Sequence, residues 1–301
     1  MKRFLRNIAL FVMPLLIIAV VLEIVAESLP NSYTYKRTYM EQHAGEIQTL
    51  FLGSSNAYDG LNPNVIPHAF NLANSSQTIE DDYRLLSRYI DVMDSLNTVV
   101  LGLGYHSLAL TTHANRRMYY TIYMDIYPRW PLSEYSFEVF NLELLLKKIV
   151  KYTVSQDIMR CDSLGQRVGH TREAVERGTE FWNRDVEGMV DNDRMYVNRQ
   201  WGTIDANYWM ICQMVDMCNT RGVTPVIVVL PVMEEYKNKL PVDQVVLYED
   251  LLLSLDSAAE CIDASDWPIP DDGWYNATHI TKEASWEFSI KLVDEINMKN
   301  E

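Results

Sequence analysis

The sequence predicts an α/β protein, a three-layer α/β/α sandwich with a parallel sheet, a helical insertion and a single N-terminal transmembrane helix. Three observations support this prediction. Short patterns typical of buried strands alternate with helical patterns, one N-terminal run is apolar throughout, and one central stretch breaks the alternation. Apolar strands separated by helices are typical of a parallel sheet that is covered on both faces.

The N-terminal apolar run is predicted to cross a membrane. It extends from about Ile8 to Val25, which is long enough for a hydrocarbon core of about 30 Å if Arg6 and Glu23 reach the two interfaces. A cleaved signal peptide is the alternative. The run is long for a signal peptide, however, and no A-x-A cleavage site follows it, so we expect residues 1–29 to be a retained anchor.

The charges that flank the anchor predict its orientation. Basic residues precede the apolar run, and none follows closely until Lys36. By the positive-inside rule the N-terminus is cytoplasmic, and residues 30–301 form a body outside the cytoplasm, either in a periplasm or at the cell surface. About 270 residues are enough for one large domain with a substantial core.

The body is acidic, which excludes some ligand classes. The chain has a formal net charge of -15, and the anchor contributes three basic and two acidic side chains, so the body carries about one negative charge more. This charge argues against nucleic acids and anionic lipid headgroups as ligands. The four cysteines allow one or two disulfides in an oxidising compartment, but their spacing fits no metal or redox motif, so we expect ordinary core cysteines.

Five short runs have the composition of buried strands, and helical segments separate them. Each run is apolar and ends at glycine or at small polar residues. The predicted strands are Ile47–Gly53, Ala69–Ala73, Thr98–Leu103, Thr224–Leu230 and Cys261–Ala264. The predicted helices are Ile79–Met93, Ile204–Asn219, Val242–Leu255 and Lys282–Met298. The order of strands and helices predicts the parallel sheet.

A stretch from about residue 111 to residue 202 interrupts this order. It is rich in Tyr, Arg, Trp and Glu and has a helical pattern at Phe137–Tyr152, so we predict a helical insertion. The insertion follows the third strand, at the sheet edge where ligand sites form. It could act on the substrate, as a lid or a binding platform, or it could be an inert elaboration that covers the sheet edge. Its aromatic residues suit sugar rings or helix packing, and they are Tyr119, Tyr120, Tyr123, Tyr127, Trp130 and Trp201.

Polar residues follow the first three predicted strands, at the edge where the ends of parallel strands converge. The three segments are Gly53-Ser-Ser-Asn56, Asn74-Ser-Ser-Gln77 and Gly102-Leu-Gly-Tyr-His-Ser107. A serine in the first turn after a strand can present its hydroxyl beside backbone N–H groups that would stabilise an oxyanion. His279 precedes the last helix, from where it can face Ser55.

These segments together resemble the SGNH, or GDSL-like, hydrolase and acyltransferase superfamily. The resemblance is closest to its membrane-anchored bacterial branch, which includes the D-alanyl transfer protein of teichoic acid modification and polysaccharide O-acyltransferases. It implies that Ser55 is the nucleophile, and that Asn74 or the backbone of Ser76 contributes to the oxyanion hole. Gly104 matches the third motif, although Tyr105 and His106 stand where the family has asparagine.

The last motif departs from the family. It is normally Asp-x-x-His, in which the aspartate orients the histidine, but here it is Asn276-x-x-His279. In serine proteases an Asp-to-Asn change costs roughly 10⁴ in turnover, because the wrong imidazole tautomer is favoured. Three interpretations follow: Asn276 orients the ring through its amide oxygen, a carboxylate comes from Asp271 or Asp272, or the site is degenerate.

The other histidines show no spacing typical of metal ligands, so neither a metal nor a cofactor is predicted. They are His43, His68, His106, His113 and His170. His106 follows a strand end and is expected to shape the pocket wall.

The resemblance implies an esterase or O-acyltransferase that acts on acylated glycans or glycopolymers at the cell surface, with Ser55, His279 and Asn276 as its catalytic residues. It also allows for a membrane acyl-transfer partner protein. The alternative is a catalytically degenerate protein of the same fold that binds glycan or a partner in polysaccharide assembly.

Overall fold

The structure, a computed structural model, describes residues 1–111, 114–155, 160–176, 186–198 and 201–299. The chain divides into two compact units. The first comprises Met1–Thr38 with His113–Arg160, and the second comprises Tyr39–Thr112 with Cys161–Glu301. The predicted insertion is therefore shared between the two units. His113 and parts of the insertion lie outside the described residues.

The second unit is built on a five-stranded parallel sheet. Its strands are β1 (Thr49–Gly53), β2 (Ala69–Asn71), β3 (Thr98–Leu103), β4 (Thr224–Val229) and β5 (Glu260–Asp263). Their order is β2-β1-β3-β4-β5, and every neighbouring pair is parallel. The predicted α/β class is confirmed, and the strand ends differ from the predicted ends by at most two residues.

Twelve helices lie in the described part of the chain. They are α1 (Lys2–Ser28), α2 (Ser32–His43), α3 (Ser55–Gly60), α4 (Ile79–Tyr89), α5 (Ala114–Ile122), α6 (Leu142–Ser155), α7 (Arg172–Glu176), α8 (Val186–Asn198), α9 (Trp201–Thr220), α10 (Glu234–Lys239), α11 (Val242–Leu255) and α12 (Lys282–Lys299). Helices α4 and α9 pack on each other, as do α3 and α12. Right-handed crossovers place these two pairs on opposite faces of the sheet, which gives the three layers.

Two details of the second unit differ from the prediction. The helix predicted at Ile79–Met93 ends at Tyr89 and is followed by a 3-10 turn at Ile90–Val92. A short antiparallel hairpin of β6 (Trp274–Asn276) and β7 (His279–Ile280) precedes α12. The sequence pattern did not indicate this hairpin, because a strand of two or three residues is too short to show periodicity.

The first unit contains α1, α5 and α6. Helix α1 has 27 residues, about 40 Å of helix, and its apolar side chains are exposed from Phe4 to Val25. Among the described residues it is the one helix that is long and apolar enough to cross a membrane. Length and composition alone fit either a membrane span or a signal sequence.

The C-terminal end of α1 takes part in a buried polar cluster of the first unit. The Glu23 carboxylate accepts hydrogen bonds from the backbone N–H groups of Glu138 (3.0 Å) and Val139 (2.9 Å). The buried Lys148 ammonium donates to the Ala26 carbonyl and to the Glu138 carboxylate, both at 2.7 Å. These bonds satisfy charged groups that would be costly to bury without partners.

The tyrosines of the insertion pack inside the first unit. The buried members are Tyr120, Tyr123 and Tyr127. Tyr119 stacks on Tyr33 with 5.3 Å between the ring centroids, so these rings serve helix packing. Trp130 is 74% exposed, and the side chain of Trp201 lies outside the described residues.

All four cysteines are free thiols. Cys161 and Cys218 are buried, and burial raises the pKa of Cys218 to about 12, which makes it a poor nucleophile.

Candidate active site

Two glycines allow α3 to begin directly at the end of the sheet. Gly53 has a φ of +129°, and a Cβ atom there would lie 2.3 Å from the Gly102 carbonyl oxygen. A Cβ atom at Gly102 would lie 2.8 Å from the Cβ of Ala57. The chain therefore turns sharply after β1 and places Ser55 at the first position of α3, where the backbone N–H has no partner within its helix.

Two buried asparagines hold α3 in place. The Asn71 amide nitrogen donates to the carbonyl groups of Ala57 (3.0 Å) and Leu61 (2.7 Å), at the end of α3. The Asn56 amide nitrogen donates to the Thr278 carbonyl at 2.5 Å. Because Asn56 is adjacent to Ser55 and Thr278 is adjacent to His279, this second bond brings the two predicted catalytic residues together.

His279 and Ser55 are in direct contact. The His279 Nε2 lies 2.8 Å from the Ser55 Oγ, at hydrogen-bond distance. The His279 side chain is 14% exposed, so the pair is largely shielded from water while one edge stays open to it. The geometry matches that of a serine nucleophile with its general base.

Asn276 places an acceptor oxygen beside the Nδ1 atom of His279, which favours a proton on that nitrogen. The Asn276 Oδ1 lies 2.9 Å from the His279 Nδ1, and it also accepts the backbone N–H groups of Thr278 (3.0 Å) and His279 (2.9 Å). An amide nitrogen cannot accept hydrogen bonds, so two backbone donors at this atom identify it as the oxygen. An Nδ1–H can donate to this oxygen and to the Thr278 hydroxyl, which lies 3.0 Å from the same nitrogen, and this tautomer leaves the Nε2 lone pair free for the Ser55 proton.

His279 is a neutral base at pH 7. Burial lowers its pKa to about 3; the charge of Asp59 opposes this shift, and those of Arg167, His170 and His106 add to it. A neutral imidazole can accept a proton, but the imidazolium that results needs a negative partner. Asn276 offers an oxygen without a formal charge.

Among the described residues, the negative charge nearest to His279 is that of Asp59, one helical turn beyond Ser55 on α3. The Asp59 Oδ2 lies 3.9 Å from the His279 Nε2, 3.2 Å from the Arg167 Nη1 and 3.2 Å from the His170 Nδ1. The ring of His170 also stacks on Tyr275, with 3.7 Å between the ring centroids. Asp59, Arg167 and His170 thus form a compact charged group beside the Ser55–His279 pair.

The carboxylates that one of the three interpretations placed in the role of the missing aspartate lie elsewhere. Asp272 is 63% exposed and forms an ion pair with Arg172 at 3.2 Å. Asp271 lies in the same short 3-10 turn as Asp272. Among the described residues, Asp59 is the one carboxylate within 4.0 Å of a His279 ring nitrogen, so the interpretation that assigned this role to Asp271 or Asp272 is wrong.

The residues predicted to form an oxyanion hole follow β2 and β3, the two strands that flank β1. Asn74 is buried, and its Oδ1 accepts a hydrogen bond from the Ser75 N–H. Its amide nitrogen, which is a hydrogen-bond donor, therefore points away from the Ser75 N–H. Ser76 is half-buried, with a φ of +54°. Gly104 donates its backbone N–H to the Ser107 Oγ at 2.9 Å, so this N–H is occupied within the protein.

His106 lies beside Gly104 and Asn56. A Cβ atom at Gly104 would be 3.1 Å from both the Asn56 Oδ1 and the His106 Cε1. The His106 Nδ1 is 3.8 Å from the Asp193 carboxylate on α8, which also accepts a hydrogen bond from Tyr236. A residue of the predicted insertion therefore lies beside His106 at the strand end.

Sequence reasoning missed Asp59, Arg167 and His170. The spacing of Asp59 was an available signal, because a residue four positions after Ser55 lies on the same helical face. Arg167 lies 108 residues from Asp59 in the chain, and no local pattern connects them. Among the described residues, no group of three or more His, Cys, Asp or Glu side chains could hold a metal ion.

No protein-family model matches this sequence, and no curated protein matches it. Solved structures that resemble the chain include a candidate acylhydrolase from Bacteroides fragilis, with 11% identity, a TM-score of 0.42 and coverage of 87% of this chain and 95% of that one. A GDSL-like lipase from Bacteroides thetaiotaomicron has 9% identity, a TM-score of 0.43 and coverage of 89% and 100%.

A third similar structure is described as a candidate platelet activating factor from Streptococcus pneumoniae. It has 11% identity and a TM-score of 0.38, and the match covers 95% of this chain and 98% of that one. At such identities and TM-scores, none of these similarities assigns an activity or a substrate to this chain.

Proposed function

We propose that this chain is a membrane-anchored serine esterase or O-acyltransferase, with Ser55 as nucleophile and His279 as general base. The observation that supports this proposal most directly is the 2.8 Å contact between the Ser55 Oγ and the His279 Nε2. The ring tautomer favoured by Asn276 leaves that nitrogen able to accept the serine proton. The resemblance of the sequence motifs to the SGNH superfamily points to the same chemistry.

The reaction has two halves. In the first, the Ser55 Oγ attacks an ester carbonyl while the His279 Nε2 takes the serine proton, and that proton then passes to the departing alcohol. In the second, water or a sugar hydroxyl gives its proton to His279 and attacks the acyl-Ser55 ester; as the bond to Ser55 breaks, His279 returns that proton to the Ser55 Oγ, which leaves a free acid or a new ester as the product. The Ser55 backbone N–H and the Asn74 amide nitrogen are the donors that we assign to the oxyanion.

The proposed substrate class is an acylated glycan or glycopolymer outside the cytoplasm. The motif resemblance suggests this class, and an anchored site would meet membrane-linked or growing surface polymers more readily than soluble esters. In a transferase, a membrane acyl-transfer protein would be the partner that delivers the acyl group.

The contacts of α1 favour a retained anchor over a cleaved signal peptide. Glu23 accepts two backbone N–H groups, and Ala26 accepts the buried Lys148 ammonium. Cleavage after these residues would remove both acceptors, so two backbone N–H groups and the buried Lys148 ammonium would each lose a hydrogen-bond partner, which is costly. We therefore propose that α1 remains attached and that the body lies outside the cytoplasm.

A fluorophosphonate probe tests the proposed chemistry. The full chain in detergent micelles should be labelled, whereas Ser55→Ala should abolish labelling and His279→Ala should slow it by at least about 10³-fold. Ser87→Ala is a matched control, because Ser87 is an exposed serine on α4 that bonds within its own helix. Labelling that survives Ser55→Ala, or no labelling of the wild-type chain, would favour the non-catalytic glycan-binding alternative.

Two further measurements address the remaining parts of the proposal. With an acetyl ester as donor, the share of acyl groups transferred to an added oligosaccharide instead of water separates a transferase from an esterase. For the anchor, the membrane-bound protein should have an intact mass of 34.9 kDa, and a protease added outside should reach its C-terminus. A mass that lacks α1, or a C-terminus that is accessible only after lysis, would contradict the proposed topology.

A further inference from the structure

We infer that Asp59 is a positioning residue that supplies the negative charge to His279 which Asn276 cannot supply. This inference rests on the proposed function, because it concerns the histidine when it holds the Ser55 proton. In Ser-His-Asp sites the aspartate of the last motif stabilises the imidazolium, and this inference assigns that role to a residue of α3. The charge would thus reach the Nε2 side of the ring instead of the Nδ1 side.

The geometry places Asp59 where the transferred proton arrives. Asp59 and Ser55 are separated by four residues on α3, so they share a helical face. The Asp59 Oδ2 is 3.9 Å from the His279 Nε2, and the Asp59 side chain is 1% exposed. At this distance, and away from water, a carboxylate stabilises an imidazolium strongly.

The neighbours of Asp59 keep it ionised. Burial by itself would raise its pKa, but the charge of Arg167 and the contacts with His170 and His279 outweigh burial and lower the pKa below its usual value. The Asp59 Oδ1 is buried, with no hydrogen-bond partner in the described part of the chain. The carboxylate is therefore not fully compensated by protein donors, and it can still respond to a charge on His279.

Arg167 opposes the effect of Asp59 on the pKa of His279. Its guanidinium donates to Asp59 at 3.2 Å and also to the Ser75 hydroxyl. Burial is the main reason that the pKa of His279 is low, and the positive charge of Arg167 lowers it further, against the effect of Asp59. Arg167 thus partly offsets the charge of Asp59 while His279 is neutral, and Asp59 stabilises the ring once it is charged.

A purely structural ion pair is the alternative explanation. Arg167 donates its backbone N–H to the Tyr58 carbonyl, and Gln166 donates its side-chain amide to the Asp59 carbonyl at 3.1 Å, so this segment also fastens α3. A structural role and a role through His279 make different predictions when a carboxylate is restored at position 276. That difference is the basis of the test.

The test compares Asp59→Asn in two backgrounds, wild type and Asn276→Asp, by kcat for hydrolysis of p-nitrophenyl acetate by the full chain. In the wild type we expect kcat to fall by about tenfold or more. This is the loss expected if Asp59 raises the pKa of His279 by about one unit in the transition state. In the Asn276→Asp background the same change should lower kcat by less than about threefold, because a carboxylate already faces Nδ1. Equal losses in both backgrounds would overturn the inference.

The pH profile gives a second readout that a structural role would not move. The charged and titratable groups that act on His279 are Asp59, Arg167, His170 and His106. Loss of the negative charge in Asp59→Asn should shift the acid limb of kcat/KM to lower pH, and loss of the positive charge in Arg167→Gln should shift it to higher pH. Shifts in the same direction, or none, would contradict the inference.

Two controls keep the outcome interpretable. Asp272→Asn removes an exposed ion pair with Arg172 in the same unit and should leave kcat unchanged. If Asp59→Asn does not fold, the double variant Asp59→Asn/Arg167→Gln removes both buried charges and is measured in the same two backgrounds. If the wild type has no Ser55-dependent activity, the proposed function fails; if that activity is present but the losses are equal, only this inference fails.

Discussion

The Oδ1 atom of Asn276 lies 2.9 Å from the Nδ1 atom of His279 and is fixed there by two backbone N–H groups. In serine proteases, an asparagine in the place of the aspartate favours the wrong tautomer, because its amide can turn its NH₂ group toward the ring. Here such a turn would place two backbone donors against an amide nitrogen. The loop that carries Asn276 therefore holds an uncharged acceptor oxygen opposite Nδ1, which favours the productive tautomer.

Replacing Asn276 with leucine should disable the site. Leucine has a similar size but accepts no hydrogen bond, so the His279 tautomer is no longer selected and two backbone N–H groups lose their acceptor. We expect kcat for p-nitrophenyl acetate to fall by about 10² to 10⁴. Asn276→Asp is the matched control: it keeps an oxygen acceptor, adds a charge, and should retain or exceed wild-type kcat. A leucine variant within twofold of the wild type would refute this role of Asn276.

Asn56→Ala should destabilise the second unit. The change removes the 2.5 Å bond to the Thr278 carbonyl and leaves that buried acceptor without its partner, which costs about 1 to 3 kcal/mol in the free energy of unfolding. Urea unfolding measures the loss. Asn219→Ala removes a bond of the same type, from an exposed asparagine to the Ala258 carbonyl, and should cost less than about 0.5 kcal/mol. Similar losses in the two variants would show that the Asn56 bond contributes no more to the free energy of unfolding than an exposed bond of the same type.

Gly53→Ala should be poorly tolerated. The new Cβ atom would lie 2.3 Å from the Gly102 carbonyl oxygen, in a residue whose φ is +129°, so the free energy of unfolding should fall by about 3 kcal/mol or more. Gly202→Ala meets no atom within 4 Å and should leave stability unchanged or slightly higher. Thermal unfolding by circular dichroism measures both variants. A Gly53→Ala protein as stable as Gly202→Ala would mean that β1 need not turn in this way.

Asp82 should make stability depend on pH. Its carboxyl group accepts the Gly53 N–H and the Gln77 amide, and burial raises its pKa to about 8 from an ordinary value of 3.8. Between these two values the folded state holds a proton that the unfolded state has lost, so this group's contribution to stability falls as pH rises from about 4 to about 8.

Asp82→Asn, which stays neutral, tests this dependence. Urea unfolding at pH 5 and pH 9 should show a smaller decrease in stability for the variant than for the wild type. Asp91→Asn alters an exposed carboxylate of the same unit and should preserve the wild-type decrease. An Asp82→Asn protein that loses as much stability as the wild type would show that Asp82 is already ionised in the folded protein.

The strands and their order in the chain could be predicted because their signals are local. An apolar run that ends at glycine, as in Leu50–Gly53, needs no information from elsewhere in the chain. The positions of Ser55 and His279 followed from the same logic, because the ends of parallel strands converge at one edge of the sheet. The β6–β7 hairpin was missed, since its two strands are held by the adjacent elements and not by their own periodicity.

By itself, the sequence determined the α/β class, the apolar N-terminal helix and the pairing of Ser55 with His279, because hydrophobic period and turn residues act over a few neighbours. Only the tertiary structure decided the electrostatics around His279. Arg167 and His170 reach Asp59 from segments more than 100 residues away, and the orientation of Asn276 depends on backbone donors that exist only in the folded loop. Charge and hydrogen-bond geometry depend on distance in space, which chain order does not reveal.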